Sequence, residues 1–405
     1  MMRLAWALAI VVPLLLSTRT PLRAAPERAA VVAGNSEFAF ALYRELSASD
    51  GNLFVSPFSV STALAMTYAG AAGVTASQMA ETLRFPFPPG ELAEAFGGLQ
   101  GRINSRREID GIEMAVANSL WPQRGFELRD GFIELVRASF AGELRELDYA
   151  SDAAGAAGVI NGWVADRTNG RIRNIATPGA LTPMTRLVLV NAIYFNGDWS
   201  HQFDPENTRP EEFAADGGQP VDVPMMNLTA ELPYAAVDGA RLVDLPYAGG
   251  ALSMTVLLPP ADGDLSALEE RLDARRIDDW MAALEQREVE LALPKFTLES
   301  SFELGGTLAA MGMPDAFTPG RADFSGMVAD QRPFFIGAIL HKAFVEVAEE
   351  GTEAAAATAV VMRTTAIREP LPPVVLRVDR PFLFLIRDRA SGSILFLGRV
   401  TNPLD

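Results

Sequence analysis

Between Asn35 and Leu46 the apolar residues Phe38, Leu42 and Leu46 fall four apart, which puts them on one face of a helix starting near Ser36. The next run, Phe58 to Ala69, is mostly apolar. Ser56 suits the cap before it and Pro57 its first turn, so a core helix is expected there. Thr75 to Leu83, Leu92 to Ile103 and Phe132 to Phe140 read as further helices. Ile112 to Trp121 suits a strand, and Thr185 to Phe195 a longer and more apolar one, which belongs in the middle of a sheet covered on both sides. From Val221 onward short strands dominate: Ser253 to Leu258, Val289 to Leu293, His341 to Val347, Val374 to Val378, Phe382 to Ile386 and Ile394 to Val400. Helices early and strands late predict an α+β protein, not regular βαβ units.

The pattern at the start is of another kind. Arg3 is followed by an apolar run from Leu4 to Leu16, with the small residues Ala24 and Ala25 beyond it. Those are the charged, apolar and cleavage regions of a secretory signal peptide, expected to cover about residues 1–25; a buried N-terminal helix is the alternative. The run is too short to span a membrane comfortably, so no membrane attachment is expected of the mature chain. The remaining residues, about 30–405, contain no long linker and no fixed-period repeat and read as one domain. Localisation should then be secreted, extracellular or periplasmic.

Of 405 residues, 49 % are hydrophobic and 21 % charged, as in an ordinary globular protein with a large core. Cysteine is absent, which removes disulfides, thiolate catalysis and Cys-based metal sites and leaves stability to the core; a monomer is expected. A formal charge of −17 argues against nucleic acid as a partner. Arg102, Arg106 and Arg107 form the one basic cluster of note, and at helical spacing it reads as a solvated face before a polyanion site.

Catalytic parts are missing. A Ser-His-Asp hydrolase would have to use His201 or His341, no Gly-x-Ser-x-Gly elbow is present, and the surroundings of His341 are those of a strand interior. No His pair stands at zinc spacing and there is no phosphate-binding glycine loop. Paired carboxylates such as Asp278-Asp279 are commonplace among 51 acidic residues.

One segment does not fit a resting protein. After the strand His341 to Val347, residues Glu349 to Pro370 are neither strongly polar nor able to build much core. If extended, its even positions Thr352, Ala354, Ala356, Thr358, Val360, Met362 and Thr364 are all uncharged, while Glu353 and Arg363 are odd. Such a stretch could enter a sheet with its even face hidden and its charges in water. An Ala-rich helix over Ala354 to Ala357 is equally compatible with this segment alone.

At this point the residues resemble a family, the serpins, over nearly the whole chain after the leader. The hinge Glu349-Glu350-Gly351-Thr352-Glu353-Ala354-Ala355-Ala356-Ala357-Thr358 is similar to that of inhibitory members. Matching segments follow in the family's order: Asn52 to Ser59, Ile160 to Val164, Asn191 to Trp199, Leu293 to Phe296, Asp323 to Met327, Arg380 to Phe384 and Phe396 to Pro403. The resemblance implies three β-sheets, about nine helices and an exposed reactive-centre loop over about 351–377. It implies a suicide substrate, not an enzyme, that needs no cofactor and no metal: a serine or papain-like cysteine protease acylates itself on the loop, and the cleaved loop inserts into the central sheet before hydrolysis completes.

By the same resemblance Gly351 and Thr352 lead the insertion and Ala354 to Ala357 follow. Ser56, Asn191 and His341 belong to a cluster beneath the opening sheet, and Trp199 stands at the point of first entry. In inhibitory relatives the residue before the cut lies about sixteen positions beyond the first hinge glutamate, which here gives Thr365 and the bond Thr365–Ala366. That bond would suit an elastase-like or subtilisin-like target. Arg363 or Arg368 would suit a trypsin-like enzyme and Met362 a chymotrypsin-like one. A non-inhibitory carrier or chaperone is the alternative, although such members tend to carry bulky, charged or proline residues in the hinge, and apart from Glu353 Gly351 to Thr358 are small and uncharged.

Overall fold

The computed structural model describes residues 24–140, 142–216, 219–261, 264–351 and 371–405. Of the expected leader, residues 1–23 lie outside this set, and Ala24 and Ala25 open the first helix. The chain is α+β. Nine α-helices occur among the described residues, six of them before residue 168, and most strands follow.

The five-stranded sheet matters most for function. Its order is Phe296–Glu303, Ile336–Val347, Leu187–Gly197, Ile112–Pro122 and the short Glu143–Leu144. Strand Leu187–Gly197 is buried at every position, because its two faces enter two cores. Leu187, Leu189, Ile193 and Phe195 join the main core, while Val188, Val190, Ala192 and Tyr194 join a smaller one. Period-two alternation between two apolar environments leaves no polar face, as its sequence predicts.

Helix Tyr149–Arg167 covers the second face, contributing Ile160, Trp163 and Val164 to the smaller core. Helicity here is not evident from the residues, since Ala and Gly dominate its first half and only a few large apolar side chains repeat. On the first face lies helix Pro57–Tyr68, all twelve residues buried, with Pro57 at its first turn and the Ser56 hydroxyl accepting from the Ser59 amide. It sits against both sheets, which explains why it lacks a polar side.

The first helix runs from Ala24 to Leu46, twelve residues earlier than its apolar spacing alone suggests. Val31 is buried, and Gly34 faces the Arg84 carbonyl so closely that a Cβ there would lie 2.1 Å from the oxygen. The interval before Ser36 therefore packs through small residues and carries no long apolar stripe.

The remaining strands form one continuous nine-stranded sheet among the described residues, where the family resemblance implies two. The eighteen-residue strand Pro220–Val237 is the physical reason. Its first half pairs with Arg209–Ala214 and, together with its later residues, with Glu285–Pro294, which in turn pairs with Val374–Arg377. Its last four residues pair with Ala240–Pro246, which continues through Leu252–Leu258, Phe382–Asp388 and Ile394–Val400 to Leu53–Val55. Two groups of strands thus share one long member.

Candidate strand-insertion site

Strands Ile336–Val347 and Leu187–Gly197 run parallel and are paired directly, from Ile336 opposite Leu187 to Val345 opposite Phe195. Their other neighbours, Phe296–Glu303 and Ile112–Pro122, run antiparallel to them. A chain that leaves Val347 and doubles back is antiparallel to Ile336–Val347, and therefore antiparallel to Leu187–Gly197 as well. Placed between the two, it would replace one parallel ladder by two antiparallel ones. Antiparallel pairing is slightly the more stable per residue, and a new strand also gains partners for its own backbone groups.

Polar side chains cross this seam at one level. Phe302, His341, Asn191 and Asn118 are register partners on four successive strands. His341 Nε2 accepts from the Ser56 amide at 3.2 Å, so the ring proton is on Nδ1, which donates to Asn191 Oδ1. Asn191 Nδ2 then donates to Ser59 Oγ and to Asn118 Oδ1. The Ser56 hydroxyl donates to the Leu395 carbonyl at 2.7 Å. Ser56, Asn191 and His341 are fully buried. Burial pushes the His341 imidazole down to about 3, so it is neutral across the physiological range.

The His341–Asn191 bond thus links these two strands at this level, and a strand entering the seam would have to separate it. Each group left buried without a partner would cost on the order of 1–3 kcal/mol, so the cluster opposes opening until new bonds form. Ser59 and Asn118 belong to the network as fully as the three residues expected from sequence. The strand register marks Asn118, and the contact of the central helix with the sheet marks Ser59.

At the upper end of the seam the chain turns through Ala348–Gly351. Trp199 donates from Nε1 to the Ala348 carbonyl at 2.9 Å and from its amide to the Glu350 carbonyl at 3.2 Å. The Phe203 amide reaches the Glu349 carbonyl at 2.9 Å. The Trp199 ring is buried and stacks on Tyr247 with centroids 4.5 Å apart. Burial alone would raise the Glu349 carboxyl, but bonds from Lys295 Nζ at 2.8 Å, from its own backbone and from Thr208 Oγ1 at 2.9 Å outweigh it and hold the group below its ordinary range.

Gly351 is buried with φ +88°, and a Cβ there would lie 2.2 Å from both Gly197 O and Asp198 Cα. Only glycine fits this close approach. Glu349, Glu350, Gly351 and Trp199 therefore meet at one point, directly above the seam. Thr352, Glu353, Ala354 to Ala357, Thr358, Thr365 and Ala366 lie outside the described residues.

His201 is exposed, while His341 is locked in the buried network. The basic cluster divides: Arg106 Nε pairs with the buried Asp388 at 2.8 Å, so only Arg102 and Arg107 remain as a solvated face. No helix among the described residues is long and apolar enough to cross a membrane.

Two directly paired parallel strands at the centre of an otherwise antiparallel sheet, followed in the chain by a tightly clamped turn, are the features that set this site apart. The chain belongs to the serpin family: residues 33–403 match the family described as Serpin (serine protease inhibitor). It is 41 % identical over 384 residues to an uncharacterized serpin-like protein of Thermococcus kodakarensis, covering 95 % of this chain and 88 % of that one. It is 38 % identical over 379 residues to the leukocyte elastase inhibitor of Homo sapiens, covering 91 % of this chain and 98 % of that protein. Among solved structures it is similar to human thyroxine-binding globulin complexed with thyroxine, with TM-score 0.83, 29 % identity and coverage of 93 % and 99 %. Uncleaved ovalbumin matches with TM-score 0.83 and 28 % identity, over 92 % of this chain and all of that one.

Proposed function

We propose that the protein is an irreversible suicide-substrate inhibitor of a serine or papain-like cysteine protease. The observation that carries this reading is the direct parallel pairing of Ile336–Val347 with Leu187–Gly197, which leaves room in the topology for one more strand, supplied by the segment that follows Gly351. The target's own serine or cysteine attacks the carbonyl of Thr365. The bond to Ala366 breaks, the Ala366 amine leaves with a proton, and an ester or thioester joins Thr365 to the enzyme. The freed segment then enters the seam, Thr352 first, with its even positions covered. The acylated protease travels with it and its active site is distorted before water completes hydrolysis. The serpin contributes no catalytic group.

The Thr365–Ala366 bond favours an elastase-like or subtilisin-like target; Met362, Arg363 and Arg368 are the alternative residues before the cut. The leader at about 1–25 supports export, followed by a single monomeric domain over 30–405. A second reading, a carrier, draws support from the likeness to thyroxine-binding globulin. The small residues between Gly351 and Thr358 favour inhibition.

Mixing the mature chain with elastase-like, subtilisin-like, trypsin-like, chymotrypsin-like and papain-like proteases tests the choice. An SDS-resistant complex, with mass spectrometry of the released C-terminal peptide identifying the cut, is the expected result. Thr352→Arg should convert the inhibitor into a substrate that is cleaved and released, because a long charged side chain cannot follow Gly351 into the seam. Inhibition by Thr352→Arg equal to wild type would sink the insertion mechanism.

A further inference from the structure

At the end of the parallel seam opposite Gly351 lies a cleft of about 360 Å3. Its walls come from the two strands that border the seam. Met184 and Arg186 lead into Leu187–Gly197, and Pro333 and Phe335 lead into Ile336–Val347, just outside the first register pair, Ile336 with Leu187. Buried Phe126 and Phe335 supply apolar surface. The volume sits at the lower end of the roughly 300–1,000 Å3 typical of small-ligand sites.

The charge of this cleft runs against that of the chain. Arg124, Arg186 and Arg332 all line it, in a protein of formal charge −17. Arg332 is engaged: its guanidinium lies 4.3 Å above the Phe126 ring, is paired with Asp330, and donates to the Gly125 carbonyl at 2.6 Å. Arg124 is exposed and stands 3.9 Å from Asp148. Arg186 differs. Its two hydrogen bonds both leave from Nη1, to the carbonyls of Pro183 and Thr185, and it meets no carboxylate among the described residues. Nη2 and Nε, the planar edge that fits a carboxylate, meet no acceptor among the described residues.

We propose that this cleft binds a small flat organic anion, an aromatic carboxylate, with its ring against the phenylalanine and proline walls and its carboxylate on Arg186, Arg124 standing by. An occupant touching both walls holds the lower end of the seam closed. That second statement rests on the insertion mechanism above; the binding statement does not.

The test uses 2-naphthoate and its neutral counterpart 2-naphthamide, titrated into the intact chain by calorimetry without protease. Naphthoate is expected to bind at least ~10-fold more tightly than the amide, the difference expected of a charge-assisted pair. Arg186→Gln should remove most of that difference. Met184→Glu, at a position 63 % exposed, adds a like charge at the rim and should weaken naphthoate without threatening the fold. Arg102→Gln should change nothing. Equal binding of amide and acid, or unaltered binding by both Arg186→Gln and Met184→Glu in variants that melt like wild type, overturns the site.

With a trapped protease in hand, saturating naphthoate should raise the proportion of serpin cleaved without complex formation. An unchanged proportion overturns the coupling while leaving the site. If no protease is ever trapped, the insertion mechanism fails and the calorimetry still decides the cleft.

Discussion

Acid should weaken the native seam through one residue. His341 is fully buried, its Nε2 already accepts from the Ser56 amide, and burial brings it down to about 3 from an ordinary 6.5. In the folded protein it stays neutral as pH falls, while in the unfolded chain it takes up a proton below about 6.5. The depressed value therefore contributes stability that is complete above about pH 6.5 and is progressively lost down to about pH 3. The slope is about 1.4 kcal/mol per pH unit, so lowering the pH to 5 should cost about 2 kcal/mol. The stabilisation from the carboxyls with depressed values, Glu349, Asp330 and Asp148, starts to be lost only once the pH falls into the ordinary carboxylate range, so the window from pH 6.5 to 5 isolates the imidazole. Urea unfolding followed by tryptophan fluorescence, at pH 7.5 and 5, should show this loss in wild type and a much smaller one in His341→Gln. Equal losses in the two proteins would refute the account of a buried neutral histidine bridging the seam.

The turn above the seam gives further expectations. Gly351→Val places a branched side chain where Gly197 O and Asp198 Cα are 2.2 Å from a Cβ and where φ is positive, so the Trp199 contacts should be lost and the protein destabilised by more than ~2 kcal/mol in chemical denaturation. Lys295→Met removes the cation on Glu349; with the lysine side chain 41 % exposed, the loss at pH 7 should be no more than about 1 kcal/mol. The Glu349 contribution is present above the ordinary carboxylate range and is lost as pH falls through its depressed value, so acid titration of the two proteins should converge. Cleaving the 352–370 segment with a protease that is not trapped should raise Tm substantially, as the parallel ladder is replaced by two antiparallel ones; an unchanged Tm would count against insertion.

Much of this was legible from residues alone, and the remainder fails for definable reasons. The apolar run Thr185 to Phe195 announces a strand buried on both sides, and it lies between two cores. The Ser56-Pro57 start of the central helix is equally plain. Helix Tyr149–Arg167 is not, because Ala and Gly carry little periodicity and its Trp163 and Ile160 make sense only against the sheet they cover. The roles of Ser56, Asn191, His341 and Trp199 came from the family resemblance. The structure adds Ser59, Asn118, Lys295 and Thr208 to their surroundings, each joined to its partner only by register or by contacts across the fold. The Arg186 cleft had no sequence signal, since its walls are assembled from five separate stretches of chain.

The pairing of His341 with Asn191 joins positions 150 residues apart. A hairpin between Ile336–Val347 and the segment right behind it would close over a few residues only, and short loops close much faster than long ones. During folding, then, the quick local partner has to lose to the slow distant one. The clamp that Trp199, Phe203 and Lys295 impose on Ala348–Gly351 acts at the one place where such a hairpin would begin. A clamp placed there would favour the slower, distant pairing while the chain folds.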